Sequence, residues 1–499
     1  MPSMPPSETP PLQPITPAYH VSILEAAQLT RLRSATLEVL QDVGVHCPSE
    51  LALGVFAEHG ARVDFGTQTV QLPPDVVESA MSRAPRFYVM GARACSHDLK
   101  LDGRSTFLAT DGCGVETIDF VTRQRRPSCK DDVARMARAS DYLSSIGFYW
   151  PVVSAQDFPS TAPLHELDAA FNNTVKHVQS ETIMGARMAS YAIEMARVIS
   201  GDDDAMRTRP PLSLLVCCIA PLGLDADGIE SALTLAAAGL PVGFMSMANL
   251  GSTGPATPAG TLVVADAEIV AALTLIQMQY PGAPVFHSMM PGIMHPRTGA
   301  YLGTAWEGTL LYPVGVEMAH HWGVPSLAGV FATDASVPSW QSAGDAASSL
   351  LLCALVGAET GSGLGLLESC KLLYPEEILL DSDIYHRVRL EAGGLDTSPA
   401  ALAIDVIRDV GPRGYFLKHA HTRRELRNIL YSELANQPAP RTGYEDPAKV
   451  ARDKINWILE NHHPQPLEPG QERELQRILH AADKEFSRLM EQPTQGAGQ

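Results

Sequence analysis

The chain alternates short apolar runs with longer stretches in which apolar residues recur at helical spacing. From about residue 105 onward, eight runs have the length and the bounding turn residues of buried strands, and helical patterns separate most of them. This alternation predicts an α/β protein with a closed (β/α)8 barrel, a TIM barrel. A doubly wound open sheet is the alternative, but no GxGxxG motif follows the first strand. The candidate strands are STFLATDG, IGFYWPVVSAQD, ETIMGA, LSLLVCCIAP, LPVGFMSM, APVFHSMM, VPSLAGVFATDA and AETGSGLGL.

The segments that flank the barrel have other patterns. Residues 1–20 are rich in proline, which predicts a disordered arm. Residues 21–104 combine helical spacing with two short strands around a glycine-containing turn, which predicts a small α+β subdomain. The barrel is expected to occupy residues 105–420. Residues 421–499 are charged and have helical spacing without a strand pattern, which predicts a C-terminal helical extension.

Charge and composition exclude several classes of protein. The formal net charge of −19 over 499 residues disfavours binding to nucleic-acid phosphates or to an anionic membrane surface. No apolar run reaches the roughly 18 residues of a membrane-spanning helix, and the first residues lack the pattern of a secretory signal. Eight cysteines without a CxxC pair indicate a reduced, cytoplasmic protein.

Catalytic residues of such a barrel lie where a strand ends and the loop to the next helix begins. At these positions the chain has few acids, bases or metal ligands and many Gly, Ser, Thr, Met and aromatic residues. We predict Asp111, Asp334 and Glu368 as the catalytic group; the alternative for the two aspartates is that they cap the helices that follow. The scarcity of bases argues against hydrolysis or proton abstraction, and no metal site is predicted.

One predicted strand-to-helix connection, MANLGSTGPATPAGTL at residues 247–262, has an unusual composition. It contains three glycines and two prolines but no charged residue, whereas such connections usually take about two to six residues. Glycine lets the backbone approach a ligand where a side chain would collide. The alternative is that the glycines only shape a turn.

Four segments, in the same order along the chain, resemble the trimethylamine methyltransferase-like family of corrinoid-dependent methyltransferases. They are LPVGFMSMANLGSTGPATPAGTL, PGAPVFHSMM, WGVPSLAGVFATDASVPSWQSA and IDVIRDVGPRGYFLKHAHT, and the similarity covers about residues 25–465. The resemblance implies a barrel whose open face receives the cobalamin of a separate corrinoid protein. It also implies transfer of a methyl group from a methylated amine to Co(I), with Gly251, Ser252, Thr253, Gly254 and Thr257 facing the corrin ring.

Two features set this chain apart from the family members that act on trimethylamine. Those members carry pyrrolysine, whereas this chain consists of the twenty standard residues and so resembles the branch that includes glycine betaine methyltransferase. In addition, a loop that reads roughly TDAK-x-x-D-x-Q in the family reads TDASVPSWQ at residues 333–341. Ser336 and Ser339 stand where that pattern has Lys and Asp, which indicates a different substrate.

The scarcity of acids favours a quaternary ammonium or sulfonium substrate. A tertiary amine leaves only after protonation, whereas a quaternary nitrogen leaves as a neutral amine. Aromatic faces hold such cations, and Trp340 is the leading candidate, although packing is the alternative for each ring. The predicted substrate-binding residues are Trp340, Phe331, Trp150, Tyr149, Phe286, His287, Gln156, Gln341 and Asn249.

Two other functions stay open at this point. A metal-dependent lyase or hydrolase would use His287, His295 and Asp334, and a non-catalytic barrel would bind an onium compound without transferring its methyl group. The segment VEMAHHWG has histidines at a spacing that can bind zinc, but it reads as an outer barrel helix far from the loops that carry catalysis. We therefore expect a homo-oligomeric methyltransferase that works with the corrinoid of a partner protein and binds no metal tightly.

Overall fold

The computed structural model describes residues 8–112, 114–303, 306–429, 432, 434 and 445–491. Eight parallel strands close into a barrel in the order in which they occur along the chain, with the last strand paired to the first. The predicted (β/α)8 fold is confirmed. The strands are β1 (Phe107–Thr110), β2 (Ile146–Tyr149), β3 (His177–Ser180), β4 (Leu212–Cys217), β5 (Val242–Ser246), β6 (Val285–Met289), β7 (Ser326–Gly329) and β8 (Thr360–Leu364).

A helix follows each strand and packs on the outside of the barrel. The extra short helix Asp203–Thr208 stands between the third of these helices and β4. The eight are α1 (Lys130–Tyr142), α2 (Ala162–Asn173), α3 (Ala186–Ser200), α4 (Ala226–Ala237), α5 (Pro258–Gln279), α6 (Trp306–Trp322), α7 (Trp340–Val356) and α8 (Glu377–Ala392).

Seven of the eight predicted strands contain the observed strand, and one is wrong. The segment ETIMGA at residues 181–186 was predicted as the third strand, but β3 ends at Ser180. His177 and Gln179 of β3 are polar and buried, so this strand lacks the apolar run by which the others are recognised. Glu181, predicted to lie within a strand, therefore lies directly after β3.

Residues that precede the barrel close its amino-terminal end. The hairpin formed by Tyr88–Met90 and Leu99–Leu101 packs into the apolar cluster of the barrel interior together with Phe107 and Phe148. The described residues thus fill the amino-terminal end of the interior, and the opposite, carboxyl-terminal mouth is the expected approach for a ligand.

The prediction of a disordered arm at residues 1–20 is wrong for residues 8–20. Ile15 is fully buried and exchanges two backbone hydrogen bonds with Thr106, just before β1. Gln13 donates a backbone hydrogen bond to the carbonyl of Ser144. Proline favours an extended backbone, and here that backbone pairs with the barrel instead of remaining free. Residues 1–7 lie outside the described residues.

The remaining elements pack around the barrel. Those before it are the helices Ala26–Asp42, Glu50–Glu58 and Pro74–Met81, the strands Val45–His46, Arg62–Asp64 and Thr69–Gln71, and a 3-10 turn at Cys95–His97. Those after it are the helices Pro399–Leu402, Ile404–Val410, Ala420–Glu425, Pro447–Asn461 and Pro469–Glu491, with 3-10 turns at Phe416–Lys418 and Leu426–Asn428. Residues 430–431, 433, 435–444 and 492–499 of the predicted extension lie outside the described residues, and the domain boundaries at 104/105 and 420/421 stay predictions.

Among the described residues, α5 is the only helix long and apolar enough to cross a membrane. Of its most apolar window, 78% is buried within the protein. The helix packs between the barrel strands and the helix Ala26–Asp42, where Thr36 donates a hydrogen bond to Asp266 at 2.7 Å. Its apolar composition is that of a helix covered on several sides.

Two small sheets stand at the carboxyl-terminal mouth, in the connections that follow the barrel strands. The connections after β1 and β8 form one, and those after β5 and β6 form the other, so both small sheets border the mouth. The first contains Glu116–Ile118, Arg125–Pro127, Leu366–Leu367 and Leu372–Leu373, and the second contains Asn249–Leu250, Gly292–Met294 and Tyr301–Leu302.

Candidate active site

Three carboxylates from different connections meet at the mouth. Asp111 follows β1, Glu181 follows β3, and Asp334 lies in the loop after β7. All three act on the buried thiol of Cys370: burial raises the pKa of this thiol, and the negative charges of the three carboxylates raise it further. Negative charge is thus concentrated around Cys370 at the mouth.

Asp111 is buried in this group. Its Oδ1 accepts a hydrogen bond from the backbone N–H of Gly112 at 2.9 Å, and its buried Oδ2 has no hydrogen-bond partner of acceptable geometry among the described residues. Burial raises the pKa of the Asp111 carboxyl to about 6, while the neighbouring Cys370 thiol and the Gly112 N–H offset part of this rise. No cationic side chain contributes to the shift, so a positively charged ligand nearby would favour the ionised form of the carboxyl.

Asp334 is fixed by the loops around it. Its Oδ1 accepts hydrogen bonds from the hydroxyl of Ser369 and from the backbone N–H of Gly303 at 3.3 Å. The phenol of Tyr301 lies nearby, and burial together with the charges of Cys370, Asp334 and Asp111 raises its pKa. Loops after β6, β7 and β8 therefore converge on Asp334.

Trp150 lies in the interior of the barrel, below the carboxylates. Its ring is buried in the interior apolar cluster, and a Cβ on Gly112 would come within 2.0 Å of it. Gly112 is therefore required for the close packing of the β1 connection on the indole. Of the predicted aromatic residues, Trp150 is the one that combines an interior position with proximity to Asp111.

The other predicted rings lie elsewhere, and four predictions are corrected. Trp340 begins α7 and is 88% exposed, so it forms no wall of a pocket. Tyr149 points outward from β2 and donates a hydrogen bond to the carbonyl of Val133 on α1 at 2.9 Å. Phe331 packs in the larger core cluster, with a left-handed backbone at φ 60°. Phe286 lies low in the interior, where its ring fills the space left by Gly243.

Several predicted polar residues have structural partners. His287 points outward and its Nε2 is 2.9 Å from Oδ1 of Asp266 on α5. Gln156 is exposed and its amide donates to Val115 and Ser128 in the connection after β1. For His287 the predicted contact with substrate is wrong, because residues adjacent in a strand face opposite sides of the barrel wall. For Gln156, whose amide is bonded within the connection after β1, it stays a prediction.

The carboxylate of Glu368 does not join the other two predicted catalytic acids. It accepts hydrogen bonds from both terminal nitrogens of Arg125, at 3.1 and 2.9 Å, and Arg125 also pairs with Glu116. Because Arg125 already compensates its charge, Glu368 has a structural role: it is paired with the small sheet after β1. Its prediction as a catalytic acid is corrected accordingly.

Two further candidates border the mouth without a contact that defines a role. Gln341 stands in the first turn of α7 and is half-buried. Asn249 lies in the second small sheet, and its side-chain Oδ1 is buried without a partner among the described residues. Both stay predictions.

The glycine-rich connection after β5 is folded on itself at the mouth. The carbonyl of Asn249 accepts hydrogen bonds from the backbone of Ser252, Thr253 and Gly254 at 3.0 Å. Gly251 has a φ of 90°, which favours glycine, and a Cβ on Gly254 would lie 2.8 Å from Oγ1 of Thr261. Ser252 and Thr257 are exposed. The loop therefore presents short side chains to solvent beside the mouth.

Sequence reasoning missed Glu181, Cys370 and Tyr301. Glu181 was hidden because its segment was predicted as a strand. Cys370 and Tyr301 lie in long connections, and only the fold of these connections brings the two residues to the mouth. A strand boundary at Ser180 would have indicated Glu181, because Asp111 directly follows β1 in the same way.

The ligands of the rival metal site do not come together. His287 faces α5 on the outside of the barrel, whereas Asp334 lies at the mouth. On the outer helix α6, Nε2 of His320 is 3.0 Å from Oε2 of Glu359, and Glu317 accepts backbone hydrogen bonds from Ile23 and Leu24. In the described part of the chain, no group of three His, Cys, Asp or Glu side chains is arranged to hold a metal ion.

Fold and site together define a class: a TIM-barrel protein with a buried aspartate and two further carboxylates at its mouth and an indole below them, an arrangement suited to a cation. The family profile of trimethylamine methyltransferase (MTTB) matches residues 6–486. The chain belongs to this family of methyltransferases, and the predicted resemblance is confirmed.

Individual relatives match nearly the whole chain. It is 31% identical over 465 residues to trimethylamine methyltransferase MttB of Desulfitobacterium hafniense (strain DSM 10664 / DCB-2), covering 92% of this chain and 93% of the relative. It is 27% identical over 483 residues to glycine betaine methyltransferase of Desulfitobacterium hafniense (strain Y51), covering 94% and 98%. The crystal structure of the Methanosarcina barkeri monomethylamine methyltransferase (MtmB) superposes with a TM-score of 0.51 at 13% identity, covering 94% and 89%, which supports the fold.

Proposed function

We propose that this protein transfers a methyl group from a quaternary ammonium or related onium compound to the Co(I) corrinoid of a partner protein. The observation that carries the proposal is the group of carboxylates around buried Asp111, above Trp150, in a member of a methyltransferase family. Relatives named for trimethylamine and glycine betaine support a methylated nitrogen compound as the methyl donor.

The mouth suits a cation that has no N–H group. A buried carboxylate is costly unless a positive charge compensates it, and an onium methyl surface offers that charge without a hydrogen-bond donor. The buried carboxyl of Asp111, whose pKa is shifted by burial, the Cys370 thiol and the Gly112 N–H but by no cationic side chain, fits such a compound. The indole of Trp150 supplies a face for a cation–π contact of about 0.5 to 2 kcal/mol.

The reaction asks little acid–base chemistry of these residues. As the carbon–nitrogen bond breaks, the electron pair stays on nitrogen, and the amine leaves neutral without a proton. The carboxylates and Trp150 hold the cation and direct one methyl group toward the mouth. Such orientation supplies a large part of the rate of a transfer between two bound groups.

The corrinoid of the partner supplies the Co(I) nucleophile that accepts the methyl group. The rim of the mouth fits the docking of a flat ring and its carrier, because the connection at residues 251–257 bears only small, uncharged side chains. Large apolar residues from separate connections are also exposed around it, and this pattern is typical of a protein-binding surface. They are Val115, Met184, Ile219, Met247, Val337 and Trp340.

A methyl-transfer assay with free cobalamin tests the proposal. Purified protein is mixed with Co(I)-cobalamin and with tetramethylammonium, choline, glycine betaine or dimethylsulfoniopropionate, and the visible absorbance is followed. We expect transfer from at least one of these compounds. In calorimetry, Trp150→Leu should weaken binding of that onium by roughly 2- to 30-fold, while a neutral carbon isostere loses no affinity.

The matched control is Trp457→Leu, on a C-terminal helix where the indole packs edge-on against Tyr142. It should leave onium binding unchanged. Failure of every onium compound to bind or to react would refute the proposal. Equal losses for cation and isostere in Trp150→Leu would reduce Trp150 to a packing residue.

A further inference from the structure

Three polar side chains inside the barrel have hydrogen-bonding atoms without partners among the described residues. They are Ser288 on β6, Ser362 on β8 and Gln179 on β3, and the atoms concerned are the two hydroxyl oxygens and the amide Nε2. All three side chains are buried. An unsatisfied buried polar atom is rare and costly, and three of them facing one interior call for a common explanation.

The strand registers show that these side chains face the interior. Ser288 pairs with Leu327, and Ser362 pairs with Ala109, and both partners belong to the interior apolar cluster. Paired residues of adjacent strands point to the same side of the sheet. Gln179 pairs with Ser213, whose hydroxyl donates to the Oε1 of Gln179 at 3.4 Å, so the amide Nε2 is the group left without a partner.

The layers of the barrel place the two serines just below the carboxylates. Alternate strands contribute to one layer, and the staggered registers put Ser288 and Ser362 at the level of Trp150. Between them, the inward position of β7 is Gly329, which is paired with Ser362 and adds no side chain. Gln179 lies in the layer beneath, and Asp111 lies in the layer above. The hydroxyls and the amide thus form the floor of the site whose roof is the acidic mouth.

The inward positions around this floor carry no cationic side chain. His177 lies two positions below Gln179, and burial lowers its pKa to about 4, which keeps the ring neutral. A carboxylate on the floor would lie beneath the negative charges of the mouth without a compensating cation, which is unfavourable in a buried site. Besides the residues already named and Glu181, the inward positions from the level of Gln179 upward hold only alanine, leucine, cysteine, glycine or methionine.

We propose that the site takes an onium compound with an uncharged hydrogen-bonding tail, such as an alcohol, and that Ser288, Ser362 and Gln179 bind this tail. The inference rests on the proposed function, because it assumes that the onium group lies between Trp150 and the carboxylates. The tail then points down to the floor, and the methyl groups point up to the mouth. The three residues act as specificity determinants, separate from the groups that hold the positive charge.

Calorimetry with three related ligands tests this inference without any corrinoid. Tetramethylammonium has no tail, choline has a hydroxyl tail, and glycine betaine has a carboxylate tail. We expect choline to bind at least about tenfold more tightly than tetramethylammonium, since each neutral hydrogen bond is worth roughly two- to tenfold. Glycine betaine should bind more weakly than choline.

Serine variants test whether the tighter binding of choline, relative to tetramethylammonium, comes from the floor residues. Ser288→Ala combined with Ser362→Ala should bring the affinity for choline close to that for tetramethylammonium, while tetramethylammonium itself binds as before. The control is Ser180→Ala, a buried serine of β3 that follows inward-facing Gln179 and so faces the opposite side of the wall. Circular dichroism melting curves verify that each variant is folded.

The outcomes separate the two proposals. Equal binding of choline and tetramethylammonium by the unaltered protein, or tighter binding of glycine betaine than of choline, would overturn this inference and leave the proposed function standing. An unchanged choline affinity in the folded double variant would overturn it as well. Absence of binding by all three ligands would overturn both.

Discussion

At the scale of single residues, the direction of a side chain decides its role. Trp150 and Tyr149 are adjacent in sequence, yet the indole lies in the interior while the phenol reaches Val133 on α1. Sequence alone identifies both only as aromatic residues near the end of β2. It does not reveal which of the two faces the interior, because a shift of one residue in register would exchange their faces. Which side chains point into the barrel is known only from the observed pairing of its strands. Asp111, directly after β1, and Asp334, in the loop after β7, were predictable from their positions near strand ends, whereas their approach to Cys370 depends on the fold of the long connections.

Asp111 is the residue whose protonation should control cation binding. Burial raises its pKa from 3.8 to about 6. A carboxyl with a raised pKa in the folded state adds stability below its unfolded pKa, and this contribution is lost as the pH rises through about 6. An onium ligand pairs with the ionised form, so the affinity for tetramethylammonium should increase by up to about tenfold between pH 5 and pH 7. Calorimetric titrations across this range measure the effect.

Asp111→Asn provides the comparison, since it keeps the shape of the side chain and removes the titration. In this variant the affinity for tetramethylammonium should be lower at pH 7 and nearly independent of pH between 5 and 7. Its melting temperature should show a smaller decrease over the same pH range than that of the unaltered protein. A variant that retains the full pH dependence would assign the titration to another group of the mouth.

At the scale of elements, the connections after the strands carry the candidate site, and the strands carry its floor. Most strands were recognised from apolar runs, but β3 was missed because its interior residues His177 and Gln179 are polar. Hydrophobic patterns therefore fail where a strand contributes polar groups to a binding site. The glycine-rich connection after β5 also departs from the usual local pattern. Its unusual composition was visible in the sequence, and the fold places it beside the mouth.

The glycine-rich connection should be probed at Ala256 rather than at Gly254. A side chain at Gly254 would collide with Thr261, whereas Ala256 is exposed and can be enlarged without a clash inside the loop. If the corrinoid docks here as proposed, Ala256→Trp should reduce methyl transfer to the corrinoid carrier at least tenfold and leave binding of the onium compound unchanged, because the added ring would obstruct the corrin and not the small cation. Steady-state transfer rates and calorimetry measure the two quantities separately.

Thr208→Trp is the matched control for this loop. Thr208 is exposed at the end of the short helix that precedes β4, at the amino-terminal end of the barrel. It should affect neither transfer nor binding. Full transfer activity in a folded Ala256→Trp protein would show that the carrier docks elsewhere.

At the scale of the whole molecule, the acidic surface contrasts with one segment after the barrel. The chain carries a net charge of −19, yet residues 402–429 contain six Arg or Lys residues and only three acidic ones. The same region exposes large apolar side chains, which monomeric proteins rarely gather in one place. They are Leu402, Ile404, Ile407, Tyr415, Phe416, Leu417, Leu426 and Ile429. Sequence patterns predicted helices here, but the exposure of their apolar residues is visible only in the folded chain.

This segment is the surface on which we expect a second copy of the chain to dock, because its positive charge complements the acidic remainder of the molecule. Ile407 and Phe416 line one groove in it, so the double substitution Ile407→Glu and Phe416→Glu should separate the predicted homo-oligomer into monomers. Sedimentation velocity at micromolar concentration measures the assembly. The control Phe65→Glu changes an exposed ring of the N-terminal region and should leave assembly intact. A monomeric unaltered protein, or a double variant that assembles as before, would contradict this prediction.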